Sequence, residues 1–290
     1  EKTESMEIAF FGGSFTALPR GIQKKYLSLA AGYVGTGPVK GIRFSTRPDA
    51  IDQEVIDFLS NYPVTTVEVG VQSADERVLI ASQRGHDLVD ILKATSLVKR
   101  QGYQLGIQMM TGLPEDDYER SVYTAEKIIL LKPNFVRIYP TLVLKGTPLE
   151  EMMNRGEYDP WEIEETLELT DTIMSIFLRE GISVIRLGLY SENPDFAESV
   201  VAGPYHPALK SLVLSRMYRN RLEDKLVGNG DIHLKVSPFD LSSMVGHGGQ
   251  NRQYFLEKYQ RRMCVQADEQ LPRYCFEYDG RRVPLYKEKS

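Results

Sequence analysis

Short apolar runs alternate with helical patterns along the first two thirds of the chain, and this alternation constrains the fold most strongly. The starts of the first five runs lie 33, 25, 38 and 31 residues apart, and no hairpin signal joins neighbouring runs. Strand–helix repeats of roughly 30 residues form βαβ units with parallel strands. The chain is therefore predicted to be α/β, with either a barrel or a doubly wound sheet. The predicted strands are 7–11, 40–45, 65–71, 103–110 and 134–139, with a further strand at 182–187.

Amphipathic patterns fill the gaps between these runs and predict helices there. After about residue 190 the rhythm breaks, because the next stretch is rich in turn formers and predicts an irregular connection. We expect three parts: a barrel core at 1–190, a connecting segment and helix at 191–228, and a small α+β module at 229–290. The predicted helices are 52–59, 87–102, one that follows Pro114, 161–180 and 207–226.

The composition excludes several classes of protein. Hydrophobic residues make up 42% and charged residues 26%, which is ordinary for a globular protein. The net charge of −5 gives no general attraction to nucleic acid or anionic membranes, so any such site has to be local. No apolar run approaches the ~18 residues that span a bilayer, and the sequence shows no signal-peptide pattern. Two cysteines form no disulfide framework, and we expect a cytoplasmic protein with no membrane partner.

The carboxyl ends of the predicted strands carry small or hydrogen-bonding residues in every case. In parallel α/β proteins functional groups collect at that edge. Amides, hydroxyls and an arginine suit a ligand with ribose hydroxyls, a carboxylate or both. Singly, each has a plainer explanation, such as a tight turn for the glycines, a helix cap for Gln72 or Ser73, and packing for His86. The candidates are Gly12, Gly13, Ser14, Ser45, Gln72, Arg84 and Gln108, with Asp49 and Glu68 as additional carboxylates. For Glu68 the alternative is a position that faces a helix.

Five motifs in order give these residues a family resemblance. Over residues 6–190 the chain resembles the radical S-adenosylmethionine (SAM) superfamily. It most resembles the branch with the Elongator catalytic subunit, and the oxygen-independent coproporphyrinogen oxidase-like enzymes lie further off. The resemblance implies an open (β/α)6 barrel with five of six strands present. The motifs are FFGGSFTALP, STRPDAI, VEVGVQSADERVLIASQRGH, MMTGLPEDD and RIYPTLVLKGTPL.

The resemblance also implies a cofactor and roles for the candidates. In that family SAM is reductively cleaved to a 5′-deoxyadenosyl radical that abstracts hydrogen from a substrate. This step uses a [4Fe–4S] cluster and a reducing partner of the flavodoxin or ferredoxin type. The Gly-Gly strand end binds the amino group of SAM. The residues carried over are Gly12, Gly13 and Ser14 for the methionyl end, Ser45 for the ribose or methionyl group, Gln72 and Gln108 for the ribose, and Arg84 for the carboxylate.

The chain departs from the family at the cluster. Three thiolates in CxxxCxxC hold the family's [4Fe–4S] cluster, whereas this chain has only Cys264 and Cys275, eleven residues apart and outside the barrel. They cannot substitute, so no metal ligand is predicted. The sequence begins at Glu1, where the cysteine segment of the family would have ended. We expect a truncated chain that is inactive alone; a relative that has lost its cluster is the alternative.

The last sixty residues carry a second motif. Their pattern predicts a strand at 231–236, helices at 238–245 and 250–259, and a strand at 262–267, with a GxxG turn between the helices. This β-α-α-β order resembles the KH fold, whose GxxG loop clamps a nucleic-acid backbone. A small α/β cap is the alternative. The nucleic-acid candidates are Gly246, His247, Gly248, Gly249 and Arg252.

Three functions stay open. The first is the SAM-binding core of a radical SAM enzyme that acts on RNA, with tRNA as the substrate that the Elongator-like resemblance favours. The second is an RNA-binding protein whose barrel is a cluster-free scaffold. The third is an ordinary phosphate- or nucleotide-binding barrel enzyme, although the expected glycine loop after the later strands is absent. Tyr205 and His206, between two prolines, are either substrate contacts or part of a rigid linker.

Overall fold

The computed structural model of the protein describes residues 6–189 and 195–286. It contains two compact units, one with the residues up to Tyr139 and Ile182–Arg186, the other with Pro140–Gly181 and the residues from Leu187 onwards. The three-part division remains a prediction. Its boundary at 190/191 and the chain start at Glu1 lie outside the described residues. Within the described ranges, no helix is both long and apolar enough to cross a membrane.

The described segments contain strands and helices in the following order. The strands are β1 (Met6–Phe10), β2 (Val39–Thr46), β3 (Val64–Gln72), β4 (Gln104–Thr111), β5 (Phe135–Pro140), β6 (Val143–Leu144), β7 (Ser183–Leu187), β8 (Val200–Ala202), β9 (Ile232–Val236), β10 (Met263–Ala267), β11 (Cys275–Tyr278) and β12 (Arg281–Pro284). The helices are α1 (Arg20–Ala31), α2 (Gln53–Leu59), α3 (Glu76–Ala81), α4 (Leu88–Arg100), α5 (Tyr118–Leu130), α6 (Pro148–Asn154), α7 (Ile163–Arg179), α8 (Phe196–Ser199), α9 (Leu209–Glu223), α10 (Leu241–Val245) and α11 (Gln250–Tyr259).

A six-stranded sheet forms the first unit. Its strand order is β1-β2-β3-β4-β5-β7, and the strands are parallel and curl into a half-barrel. All five predicted runs and the further strand predicted at 182–187 are present. The predicted α/β class with a partial barrel is therefore confirmed.

Two-residue alternation gives this sheet an apolar outer face and a polar inner face. The outer side chains are fully buried, for example Phe44 and Val69, and α1, α4 and α5 contact strands β2 to β4. Alternate positions on the same strands carry Arg43, Glu68 and Gln108, which contact one another. The polar side chains of the first unit thus collect on the concave face.

Aspartates begin several helices of this unit. The carboxylates of Asp52, Asp87 and Asp117 each accept a hydrogen bond from a backbone N–H in the first helical turn. Such bonds satisfy donors that the helix leaves free. Asp75 caps α3 in the same way, so neither Gln72 nor Ser73 has this role.

The second unit has a small mixed sheet and packed helices. Its sheet order is β10-β9-β11-β12, with β9 and β10 parallel and the other pairs antiparallel. The order β9-α10-α11-β10 is the predicted β-α-α-β arrangement, although residues 238–240 form a 3-10 turn before α10. Helices α7 and α9 pack together. An antiparallel pair, β6 with β8, lies partly in the segment that was predicted to be irregular.

Candidate functional site

The first predicted group is the turn that follows β1. Gly12 has φ +101°, which side chains rarely allow, and neither Gly12 nor Gly13 would place a Cβ within 4 Å of another group. The Ser45 hydroxyl donates to the Gly13 carbonyl at 3.4 Å, which joins two candidates. A cavity of about 410 Å³ borders this turn, with walls from Ala9 to Phe15, Leu18 and Tyr26.

Glu68 is the centre of the polar inner face. Its side chain is fully buried. Arg43 Nη2 donates to Oε1 at 2.5 Å, and Arg137 Nη2 donates to the same oxygen at 3.0 Å, while Arg137 Nε lies 2.9 Å from Oε2. Two guanidinium groups thus compensate the buried carboxylate, which would otherwise be very costly. Glu68 therefore faces the concave surface and does not face a helix.

Gln108 is oriented by this carboxylate. Its Nε2 donates to Glu68 Oε2 at 3.0 Å. The amide of glutamine has one donor side and one acceptor side. With the donor side directed at Glu68, the Oε1 atom is left as an acceptor for a ligand hydroxyl. Gln108 is thus suited to the ribose contact that the resemblance implies.

Gln72 has an unusual backbone at the end of β3. Its φ is +63°, although it is not glycine. Such a conformation costs of order 1–3 kcal/mol and often marks a functional position. A Cβ on Gly70 would lie 2.5 Å from Gln72 Nε2, so the Gln72 side chain in this position fills space that the glycine leaves open. No described residue forms a hydrogen bond with the Gln72 side-chain amide, which leaves it free for a ligand.

Arg84 is a half-buried cation in the loop between α3 and α4. Burial and the charge of Arg47 lower the pKa of its guanidinium. Arg47 is itself paired with Asp49, at 2.6 and 2.9 Å. Among the residues that the structure describes, no carboxylate pairs with Arg84. A ligand carboxylate would supply the missing opposite charge.

His86, beside this loop, packs in the core. It is 8% exposed, and its Nε2 lies 3.2 Å from the Val71 carbonyl oxygen. Burial lowers the pKa of the imidazole. This buried environment agrees with the packing role and offers no support for a catalytic one.

The structure brings some of the predicted SAM-binding residues into contact and leaves others apart. Ser45 contacts Gly13. Gln72 ends β3, whereas Gln108 lies inside the adjacent strand β4, opposite Gly70. Ser14 precedes a 3-10 turn at 15–17 without capping it through its side chain. Arg84 lies in a loop beyond β3, and its neighbours are Arg47 and its own helix.

Two arginines of the site were missed by sequence reasoning. Arg43 and Arg137 were treated as parts of apolar strands, yet both bond to Glu68. Arg43 also pairs with Glu7, at 3.2 Å. The sequence pattern could have revealed them, because each arginine lies at an inward-facing position of the two-residue alternation in its strand. Charged residues at such positions of a buried strand need partners from the neighbouring strands.

The residues present do not fit a [4Fe–4S] cluster. Cys264 is exposed on β10, and Cys275 is buried on β11, where its thiol donates to the Pro272 carbonyl at 3.2 Å. In residues 6–189 and 195–286, no three His, Cys, Asp or Glu side chains are grouped to hold a metal. The cluster that the family uses needs three closely spaced thiolates.

The GxxG turn of the second unit lies between α10 and α11. Gly246, Gly248 and Gly249 have φ values of +89°, +58° and +81°, so the turn depends on glycine. A Cβ on Gly246 would lie 2.7 Å from the Asn251 nitrogen. Beside the turn, the rings of His206 and His247 meet edge to face at 5.8 Å.

Two family models match the chain. The Radical SAM superfamily model matches residues 3–128, and the Radical_SAM C-terminal domain model matches residues 133–219. The chain belongs to the radical SAM superfamily of enzymes, on its Elongator-like side. Members of this superfamily use SAM and a [4Fe–4S] cluster.

Several relatives support this assignment. The tRNA uridine(34) acetyltransferase of Methanocaldococcus jannaschii is 38% identical over 134 residues, which cover 45% of this chain and 25% of that protein. Human Elongator complex protein 3 is 26% identical over 275 residues, covering 85% and 49%. The structure of Methanocaldococcus infernus Elp3 with an N-terminus deletion matches with TM-score 0.64 and 27% identity, covering 75% and 55%. The chain spans a quarter to about half of these two curated relatives.

Proposed function

We propose that this chain is the SAM-binding core of a radical SAM enzyme whose substrate is RNA, specifically tRNA. The observation that carries the SAM site is Arg84, a half-buried cation without a carboxylate partner in the described residues. It follows the strand end that carries Gln72, whose amide is free. Open glycines at the end of β1 and the acceptor oxygen of Gln108 add contacts for an amino group and a ribose.

Each side chain would have a defined part in binding. A guanidinium can hold a carboxylate through two parallel hydrogen bonds, and glutamine amides can hold hydroxyls. The backbone at Gly12 lets a ligand approach closely because no side chain stands in the way. The proposed contacts are Arg84 with the SAM carboxylate, Gly12, Gly13 and Ser14 with the methionyl end, Ser45 with the ribose or methionyl group, and Gln72 and Gln108 with the ribose hydroxyls.

No cleavage step is assigned to these residues. When bound, the family's cluster supplies the electron that cleaves SAM, after reduction by a flavodoxin- or ferredoxin-type partner. The ligand set of the described residues does not fit that cluster. What this chain contributes is binding and orientation of SAM.

RNA is proposed as the substrate on two grounds. A similar archaeal protein is named for action on tRNA uridine 34. The GxxG turn combines three left-handed glycines with the start of α11 and the exposed Arg252, an arrangement that suits a phosphate backbone.

Calorimetric titration of SAM and of S-adenosylhomocysteine tests the first part. We expect weak binding, because the iron that chelates SAM in the family is not held here. Arg84→Gln removes a charge-assisted contact and should weaken binding roughly 10- to 100-fold. Arg77→Gln, an exposed arginine on α3, is the matched control and should bind as the unchanged chain does. Equal affinity for both variants would refute the role of Arg84.

Fluorescence anisotropy with an unmodified tRNA transcript tests the second part. Gly248→Asp places a negative charge in the turn, and aspartate tolerates the left-handed backbone there. Gly280→Asp is the control, because Gly280 is also left-handed, with φ +68° and open space around it. We expect only Gly248→Asp to weaken binding. Tight RNA binding with no SAM binding would favour the cluster-free scaffold.

A further inference from the structure

A cleft lies between three helices of the second unit, next to the GxxG turn. Its volume is about 200 Å³. Its lining combines apolar side chains of α7 and α9 with two arginines of α9. The lining residues are Ile163, Glu164 and Leu167 of α7, Leu212, Ser215, Arg216 and Arg219 of α9, and Gln250 and Asn251 of α11.

The hydroxyl of Ser215 has no hydrogen-bond partner in the structure. Ser215 lines the cleft, is 4% exposed, and its Oγ atom is buried. A buried polar group that is left unsatisfied loses its hydrogen bonds to water without replacement. Rotation of the Ser215 side chain into the cleft would let this hydroxyl donate to an acceptor oxygen of a ligand.

Two arginines lie beside it on one face of α9, three residues apart. Arg216 pairs with Glu164 at 2.8 Å, but that carboxylate is 75% exposed. Such surface pairs contribute little and exchange readily for a stronger anion. Arg219 lies over the Tyr254 ring at 4.9 Å, and no described carboxylate pairs with it. Its guanidinium is thus held in place with its donors free.

The cleft is joined firmly to the GxxG turn. Gln250 and Asn251 follow Gly249 directly and form the first turn of α11. The buried Asn251 amide donates to the Ser215 carbonyl at 2.9 Å and to the Met244 carbonyl at 3.0 Å. These bonds tie the start of α11 to α9 and to α10. The turn and the cleft are therefore neighbouring parts of one packed group of helices in the second unit.

We propose that this cleft binds a second phosphate of the RNA backbone, beside the phosphate at the GxxG turn. The proposal rests on the proposed RNA substrate. Arg219 and Arg216 would supply charge and planar donors, and Ser215 would donate its hydroxyl. Free guanidinium donors together with a buried hydroxyl match the acceptor oxygens of a phosphodiester.

The test measures RNA affinity of the full chain by anisotropy at several salt concentrations. Arg216→Gln/Arg219→Gln removes two charges from the cleft. Arg281→Gln/Arg282→Gln removes two exposed charges from β12 and is the matched control. We expect the cleft variant to lose more than tenfold in affinity and to show a salt slope lower by roughly 0.7 for each phosphate contact removed. The control should keep most of the affinity and the slope.

Further variants separate this site from the turn. Ser215→Ala should weaken RNA binding several-fold without changing the salt slope, because no charge is lost. If Gly248→Asp abolishes binding while Arg216→Gln/Arg219→Gln binds as the control does, the cleft proposal is wrong and the turn proposal stands. If the unchanged chain binds no RNA, both are wrong. Loss of SAM binding alone would bear on the barrel site and on neither of these.

Discussion

Glu68 shows how a single buried charge organises the concave face of the barrel. Its carboxylate is the shared partner of Arg43, Arg137 and Gln108. Each of these side chains comes from a different strand, so the glutamate links β2, β4 and β5 to β3. It also fixes which side of the Gln108 amide is available. A ligand site on this face therefore depends on a residue that need not touch the ligand.

Glu68→Gln is expected to destabilise the protein strongly. The substitution keeps the size of the side chain but leaves two guanidinium groups without their buried counter-charge. Breaking a buried pair on one side costs about 3–5 kcal/mol. Urea unfolding measures the free energy of unfolding. Glu54→Gln, which removes an exposed carboxylate near Arg20, is the control and should change it by less than about 0.5 kcal/mol. Equal effects of the two variants would contradict the account of Glu68.

Asp116 gives a prediction for pH. Burial raises the pKa of its carboxyl to about 6, despite hydrogen bonds from Ser121, Gly112 and Asp117. The folded state therefore binds the proton more tightly than the unfolded state does between pH of about 4 and 6. This contribution to stability is present at low pH and is lost as pH rises through about 6.

Asp116→Asn should remove that dependence. At neutral pH it should also lower the melting temperature, because the asparagine NH2 cannot accept the bonds that the carboxylate accepts. The measurement is the melting temperature of both proteins at pH values of about 5 and 7.5, on either side of the raised pKa. Glu115→Gln, an exposed neighbour, is the control. A difference between the unchanged chain and Asp116→Asn that does not vary with pH would contradict the raised pKa.

At the scale of elements, the inner face needs small residues as well as charged ones. A Cβ on Gly106 of β4 would lie 2.4 Å from the Phe135 ring and 2.8 Å from Glu68 Cγ. We expect Gly106→Ala to destabilise the protein by roughly 1–3 kcal/mol through overpacking. Gly21→Ala in α1 is the matched control, since a Cβ there meets nothing within 4 Å. Alanine favours helix, so thermal unfolding should show a neutral or stabilised protein for Gly21→Ala. A stable Gly106→Ala would mean that Phe135 can move aside.

Local signals made the regular elements predictable. Apolar runs with two-residue alternation gave the strands of the barrel, and aspartates such as Asp52 and Asp87 marked helix starts because capping is a local interaction. The pairing of Glu68 with Arg43 and Arg137 was not predictable in the same way. It depends on which strands become neighbours, and the partners lie 25 and 69 residues away. The left-handed backbone of Gln72 also escaped prediction, because nothing local distinguishes it from an ordinary strand end.

At the scale of the whole molecule, the chain is acidic. The net charge of −5 opposes general attraction to RNA. The proposed RNA binding therefore relies on local groups, namely the GxxG turn with Arg216 and Arg219 in the second unit. The carboxylate contact proposed for Arg84 in the first unit is equally local. Both proposed sites use arginines that have no strong carboxylate partner in the residues the structure describes. Arg43 and Arg137, in contrast, are paired with the buried Glu68 and stabilise the fold.

The number of cysteines limits the ability of this chain to bind an iron–sulfur cluster. It has two, Cys264 on β10 and Cys275 on β11. Both follow the last strand of the six-stranded sheet in the sequence. A [4Fe–4S] cluster of the family type needs three thiolates. Anaerobic reconstitution of this chain with iron and sulfide should therefore give iron well below the four atoms of one cluster, with no cluster absorbance. Cys264→Ser/Cys275→Ser should give the same residual iron. A full cluster that disappears in the cysteine variant would overturn this account, because the second unit would then hold a cluster of its own.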